Sequence, residues 1–273
     1  MKKTLCLLSA VCYLLSACVP SREITDFELV AVVGIDEGIT LTLAPPAVDA
    51  TATTIARAYQ NLEGATDKHL FLGDARFVLM GEAAALEGLP LDFLLREPQA
   101  RMGARLFIVR GGTANVLITS AESPEFLTGK LKNLGLNSHV SLLDVTENAA
   151  HTYIPALSLS DGGFEADGFA VIEDGKLSGF VEEENTLALD IIRGKFEPSI
   201  VGLDGSALML LSAKLKGRTV TCAAALEEKH GDFDFAAALE EKLKSQLFSI
   251  TGEDFDVKVT ISATYELKDG GAE

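Results

Sequence analysis

Apolar and polar positions alternate along this chain with two periods, and the switches between them outline its elements. Phe27 to Ile35 (FELVAVVGI) is an apolar, β-rich run, and Gly38 to Leu43 (GITLTL) follows after Asp36-Glu37, which predicts a hairpin. Pro45-Pro46 ends it, because proline cannot donate to a strand ladder. Thr51 to Leu62 is predicted helical, with Ile55, Ala58, Tyr59 and Leu62 on one face. Ala75 to Met80 and Arg105 to Arg110 are short buried strands, separated by a helix pair over Ala83 to Arg96 that Gly88 and Pro90 interrupt. Gly111-Gly112 leads into a helix around Ala114 to Thr119. A further helix runs from Pro124 to Leu134, with Ser123 as its N-cap and proline at its first position.

A second section begins near Tyr153. Ala166 to Ile172 and Lys176 to Val181 are strands joined through Asp174-Gly175, a pair that favours a tight turn in which both central residues take positive φ. Glu182 to Arg193 is then a helix, ended by Gly194. In the last section Thr219 to Leu226 is a strand, and Phe235, Leu239, Leu243 and Leu247 form one helical stripe, with Glu240 and Lys244 paired one turn apart. From Phe255 to Leu267 the alternation is strict. Such a long strand buries one face and pairs most often antiparallel. The fold class expected is α+β, the last section a helix packed on an antiparallel sheet, and the length fits one large domain or two to three small sheet-plus-helix ones. The sections divide as a signal peptide over 1–17, an N-terminal part over 18–150, a middle strand-hairpin-helix part over 151–200 and a C-terminal part over 201–273.

The first residues follow neither period. Lys2 and Lys3 precede an apolar run from Leu5 to Leu15, too short for the ~20 residues that cross a bilayer and suited to a secretory signal. Leu15-Ser16-Ala17-Cys18 has the form of a bacterial lipobox. The two small residues admit a peptidase, and the cysteine thiolate takes a diacylglyceryl group. Cys18 is therefore the candidate lipidation site. Two acyl chains, at ~0.8 kcal/mol per buried methylene, hold durably where one holds marginally. The alternative for this stretch is an ordinary signal peptide whose cleavage site happens to include a cysteine.

Charge and chemistry narrow the function. The chain carries 23 basic and 40 acidic residues, a formal net charge of −17, which argues against nucleic acid or anionic lipid as a partner. With Cys6 and Cys12 in the signal and Cys18 lipidated, only Cys222 remains, and no internal disulfide can form. It lies in an apolar run and reads as a small buried hydrophobe. His69, His139, His151 and His230 have no zinc-site spacing, and no nucleophile elbow or phosphate loop occurs. Gly111-Gly112-Thr113 could offer amides to an anion, but a tight turn explains it better. Glu182-Glu183-Glu184 could pair as catalytic carboxylates; a solvated helix start explains them better. Asp232 and Asp234 have part of a calcium-loop spacing and read as an acidic turn. No catalytic residue, cofactor or metal is expected.

The order of these pieces resembles the Ger(x)C family of spore germination lipoproteins. The resemblance rests on Cys18, Arg22-Glu23-Ile24 and Val33-Gly34-Ile35-Asp36. It continues through Phe77 to Glu82, Gly88-Leu89, Phe93 to Pro98 with Arg96-Glu97-Pro98, and Leu106 to Gly111. Gly168 to Ile172, Asp174 to Gly179, Glu184-Asn185-Thr186 and Gly194-Lys195 complete it. Together these span Cys18 to about Lys195. Val19 stands where the family usually has tryptophan. The resemblance implies three small mixed α/β domains, over 18–150, 151–200 and 201–273, the last one shortened, and a non-enzymatic role as the lipid-anchored C subunit of a nutrient germinant receptor. It also implies two integral membrane partner subunits, one of them transporter-like, and a place on the outer face of the cytoplasmic membrane, the inner membrane of a spore. The alternative reading is an extracytoplasmic solute-binding lipoprotein that feeds a transporter.

Overall fold

The structure, a computed structural model, describes residues 24–134, 140–147, 151–160, 163–194, 196, 198–203, 207–226 and 234–264. In chain order its strands are β1 (Phe27–Leu29), β2 (Val32–Asp36), β3 (Thr40–Ala44), β4 (Val48–Thr51), β5 (His69–Phe71), β6 (Phe77–Gly81) and β7 (Arg105–Arg110). They continue as β8 (His151–Ser160), β9 (Gly163–Glu173), β10 (Lys176–Val181), β11 (Ser199–Leu203), β12 (Ala207–Lys216), β13 (Thr219–Leu226) and β14 (Asp256–Thr264). The helices are α1 (Ile55–Ala65), α2 (Glu82–Glu87), α3 (Asp92–Arg96), α4 (Ala114–Thr119), α5 (Pro124–Asn133), α6 (Leu142–Glu147), α7 (Thr186–Ile192) and α8 (Phe235–Thr251).

One eight-stranded sheet has the order β10-β9-β8-β7-β6-β2-β3-β4. Its centre, β2, β6, β7 and β8, is parallel; the strands at both edges join antiparallel. The apolar runs FVLMG and RLFIV are nearly continuous because helices cover both faces of these strands. Val33, Ile35, Val78, Met80, Leu106 and Ile108 face α1, α2, α3 and α6. Val32, Phe77, Leu79, Phe107 and Val109 face α4 and α5. The segment expected as a separate middle domain, 151–200, supplies β8 to β10 to this same sheet.

Most local signals have direct counterparts. Ser123 Oγ accepts from Phe126 N at 3.1 Å, with Pro124 at the first helical position of α5. Asp174 and Gly175 have φ of 49° and 75°, as the turn between β9 and β10 requires. Ile55, Ala58 and Leu62 are the buried face of α1, and the Tyr59 hydroxyl on that face donates to Leu70 O at 2.6 Å.

The second sheet has the order β11-β12-β13-β14 and packs against α7 and α8 through Leu211, Val220, Cys222, Ala224, Val257 and the stripe Phe235, Leu239, Leu243 and Leu247. The mixed α+β class holds. The terminal strand, however, is parallel to β13, with Thr219 opposite Asp256. Alternation reports a buried face but not a direction. Here α8 carries the chain back to the end where β13 begins, and a strand-helix-strand crossover makes its two strands parallel. A small cluster of Phe169, Val181 and Leu189, with Tyr153, Val171 and Ile250 against it, joins the two sheets.

Candidate functional site

Three parallel strands end side by side, and the residues that end them gather at one edge of the large sheet. β2 ends at Asp36, β6 at Gly81 before Glu82, and β7 at Arg110 before Gly111-Gly112-Thr113. In a parallel sheet, strands end and helices begin at this edge, so backbone amides face strand-end side chains. A cavity of about 290 Å³ opens here, lined by Asp36, Glu37, Thr40, Gly81, Ala83, Gly112, Thr113 and Asn115.

Asp36 is buried, 6% exposed, and both carboxylate oxygens are engaged. Oδ1 accepts from Ala114 N at 2.7 Å and Oδ2 from Asn115 N at 2.8 Å. Burial pushes its pKa up, and the two amides pull against that shift. Gly111-Gly112-Thr113, weighed above between anion binding and a tight turn, is a turn with Gly111 at φ 66°. The amides that follow it hold an anion after all, and that anion is the chain's own Asp36. Gly81 has to be glycine: a Cβ there would meet Asp36 Oδ1.

Glu82 Oε2 accepts from Gly111 N at 2.6 Å and ties the end of β6 to the turn after β7. Arg110 reaches the other way. Its guanidinium makes two parallel bonds to Glu182, both 2.9 Å, a third to Asp167 at 3.2 Å, and stacks over the Phe180 ring at 4.6 Å. This contact holds Glu182 below the usual carboxylate range. Glu182 is therefore not merely the solvated start of a helix. It is an ion-pair partner 72 residues from Arg110, and a 3-10 turn over Glu183–Asn185 leads into α7. Beneath them Gly168, at φ 69°, leaves room for Val181 O.

The other candidates stand apart. His69 lies 3.7 Å from Glu63 and His151 lies 3.6 Å from Glu173, at separate places on the surface. Asp234 caps α8 by accepting from Ala237 N at 3.1 Å. Cys222 is fully buried, and burial pushes its thiol up to about 11, so it is a packing residue. Cys18, Arg22, Glu23, His139, Lys195, His230 and Asp232 lie outside the described residues. Among the described residues no group of three or more His, Cys, Asp or Glu side chains could hold a metal. Chemically this edge can lock strand ends to helix starts; its anionic groups accept from amides and its cation is matched by two carboxylates.

A family model described as the spore germination protein N-terminal domain matches residues 20–162. The chain belongs to that family. The match takes in β1 to β8 and every strand end just described. Among curated relatives, the putative spore germination protein YfkR of Bacillus subtilis (strain 168) is 26% identical over 247 residues, covering 74% of this chain and 64% of YfkR. The chain thus spans just under two thirds of that relative's length. Among solved structures, the crystal structure of the GerBC protein aligns with 71% of this chain and 79% of that chain, at 14% identity and a TM-score of 0.46. The family residues named from the sequence include Asp36, Gly81, Glu82, Arg110 and Gly168, and the geometry gives each a mechanical reason. What sequence reasoning missed were Asp167 and Glu182 as partners of Arg110. Their one signal was acids flanking glycine and apolar strands, which does not name a partner.

Proposed function

We propose that this chain is the lipid-anchored C subunit of a spore nutrient germinant receptor, a non-enzymatic scaffold for two integral membrane subunits. The observation that carries the non-enzymatic part is the occupancy of Asp36. Both its oxygens are spent on Ala114 and Asn115 amides, so the one buried carboxylate of the cavity is a clasp. Membership of a spore germination family supports the setting. The lipobox Leu15-Ser16-Ala17-Cys18 supports anchoring through Cys18 on the outer face of the cytoplasmic membrane. No helix among the described residues is long and apolar enough to cross a membrane, which suits a tethered body.

The test is genetic. Deleting the gene should abolish the response of spores to a specific nutrient, and Cys18→Ala should blunt it while the protein is still made. Germination would be followed by loss of optical density across a nutrient panel. A normal response to every nutrient in both strains would sink the proposal.

A further inference from the structure

The two faces of the C-terminal sheet are unlike. One packs under α7 and α8. The other presents Lys214, Lys216, Thr221, Ala223, Asp256, Lys258 and Thr260, all exposed. The register sets Lys214, Thr221 and Lys258 in one row across β12, β13 and β14. Neighbouring strands lie ~4.8 Å apart, so the two lysines stand about 10 Å apart with a hydroxyl between them. The adjoining row is Lys216, Thr219 and Asp256. Asp256 is the one acid on this face among the described residues, and it pairs with Lys258 at 3.1 Å. Three ammonium groups thus share a flat surface in a chain whose net charge is −17.

We propose that this face rests on the phosphate headgroup plane of an anionic lipid bilayer. A protein partner would need aromatic or arginine anchors seated in pockets. The rows across β12, β13 and β14 instead present small and hydroxyl side chains between lysines, with Leu210, near the start of β12, as the one exposed large apolar side chain on this face among the described residues, and a plane of phosphates satisfies the lysines. A phosphate oxygen can take both lysines of the row and the Thr221 hydroxyl without any pocket. Each lysine near an anionic leaflet contributes about 1 kcal/mol. The overall charge opposes such contact at long range. At an ionic strength of about 0.1 M the Debye length is ~10 Å, so acids beyond the sheet and α8 are screened while the lysines at the surface still act. Contact should therefore be strongest near about 0.1 M salt, weaker near 0.01 M, where the whole chain is repelled, and weaker again near 1 M. This surface is independent of any acyl group at Cys18.

Vesicle flotation tests it, with residues 18–273 carrying Cys18→Ala so that no acyl chain contributes. The probes are phosphatidylcholine vesicles with and without phosphatidylglycerol. Flotation is expected only with phosphatidylglycerol, with a maximum at intermediate salt. Lys214→Glu/Lys258→Glu should reduce partitioning by about thirtyfold or more. Lys242→Glu/Lys244→Glu on α8, the same charge change on the far side of the sheet, should leave it near wild type. Lys214→Gln/Lys258→Gln repeats the test with milder substitutions, and circular dichroism checks that each variant folds. Equal losses in the two glutamate variants, flotation on phosphatidylcholine alone, or a response that does not depend on these lysines would overturn the proposal. So would no flotation at any salt, which would hand the face to an acidic protein.

Discussion

The large sheet and the C-terminal sheet solve the same burial problem differently. The first is covered on both faces, and Leu79 and Ile108, on opposite faces, are each fully buried. The second is covered on one, so Val257 is buried while Lys258 and Thr260 meet solvent. Double coverage leaves strand ends as the place where polar groups can meet, and Asp36, Glu82 and Arg110 are there. Single coverage leaves the outer side chains of β12, β13 and β14 exposed among the described residues. The family's named residues concentrate in the first kind of region, where a wrong side chain collides with another element. The proposed surface lies in the second, where substitution costs little folding energy.

The largest test of that contrast is packing. Leu79→Ala should cost about 2–5 kcal/mol in denaturant unfolding, since it removes a fully enclosed side chain. Thr260→Val on the bare face should stay within about 0.5 kcal/mol. Comparable losses at both sites would mean that the C-terminal face is covered. Asp36→Asn comes next. An amide can accept from one of the two backbone donors and turns its own N–H groups toward the other, so a loss of about 1–3 kcal/mol is expected. An unchanged midpoint in denaturant would remove the clasp from the account of the strand ends.

The smallest effect is electrostatic and depends on pH. Arg110 lowers the Glu182 pKa in the folded chain, so the pair stabilises above the ordinary glutamate range. That contribution is lost as pH falls through the lowered folded value. Glu182→Gln should therefore melt below wild type at about pH 7, and the two melting curves should converge as pH falls below the ordinary glutamate range. Because Glu182 is 53% exposed, the gap at neutral pH should also shrink in about 1 M salt. A gap that persists unchanged at low pH would assign the effect to packing of the side chain.

Local order was legible wherever it has a local cause. The stripe Phe235, Leu239, Leu243 and Leu247 predicted α8, Ser123-Pro124 predicted the start of α5, and Asp174-Gly175 predicted its turn. The apolar pattern does not mark β8 or β12 as strands. β8 is interrupted by Pro155, where its register with β9 shifts, and β12 mixes large apolar residues with lysines without a clear boundary. The candidate site was legible only as a set of residues, because Asp36 meets Ala114 and Asn115 some 78 and 79 positions away.

The sequence alone determined most of the element types, the family and an acidic balance, since period, composition and motif order are properties of a line. Tertiary structure decided that β8 to β10 join the N-terminal strands, that β14 runs parallel to β13, and that Glu182 belongs to Arg110. It also decided that Lys214 and Lys258, 44 positions apart in sequence, share one row. These depend on register and crossover, which place distant residues within a few ångströms. Net charge, summed over the chain, said nothing of where its lysines would gather.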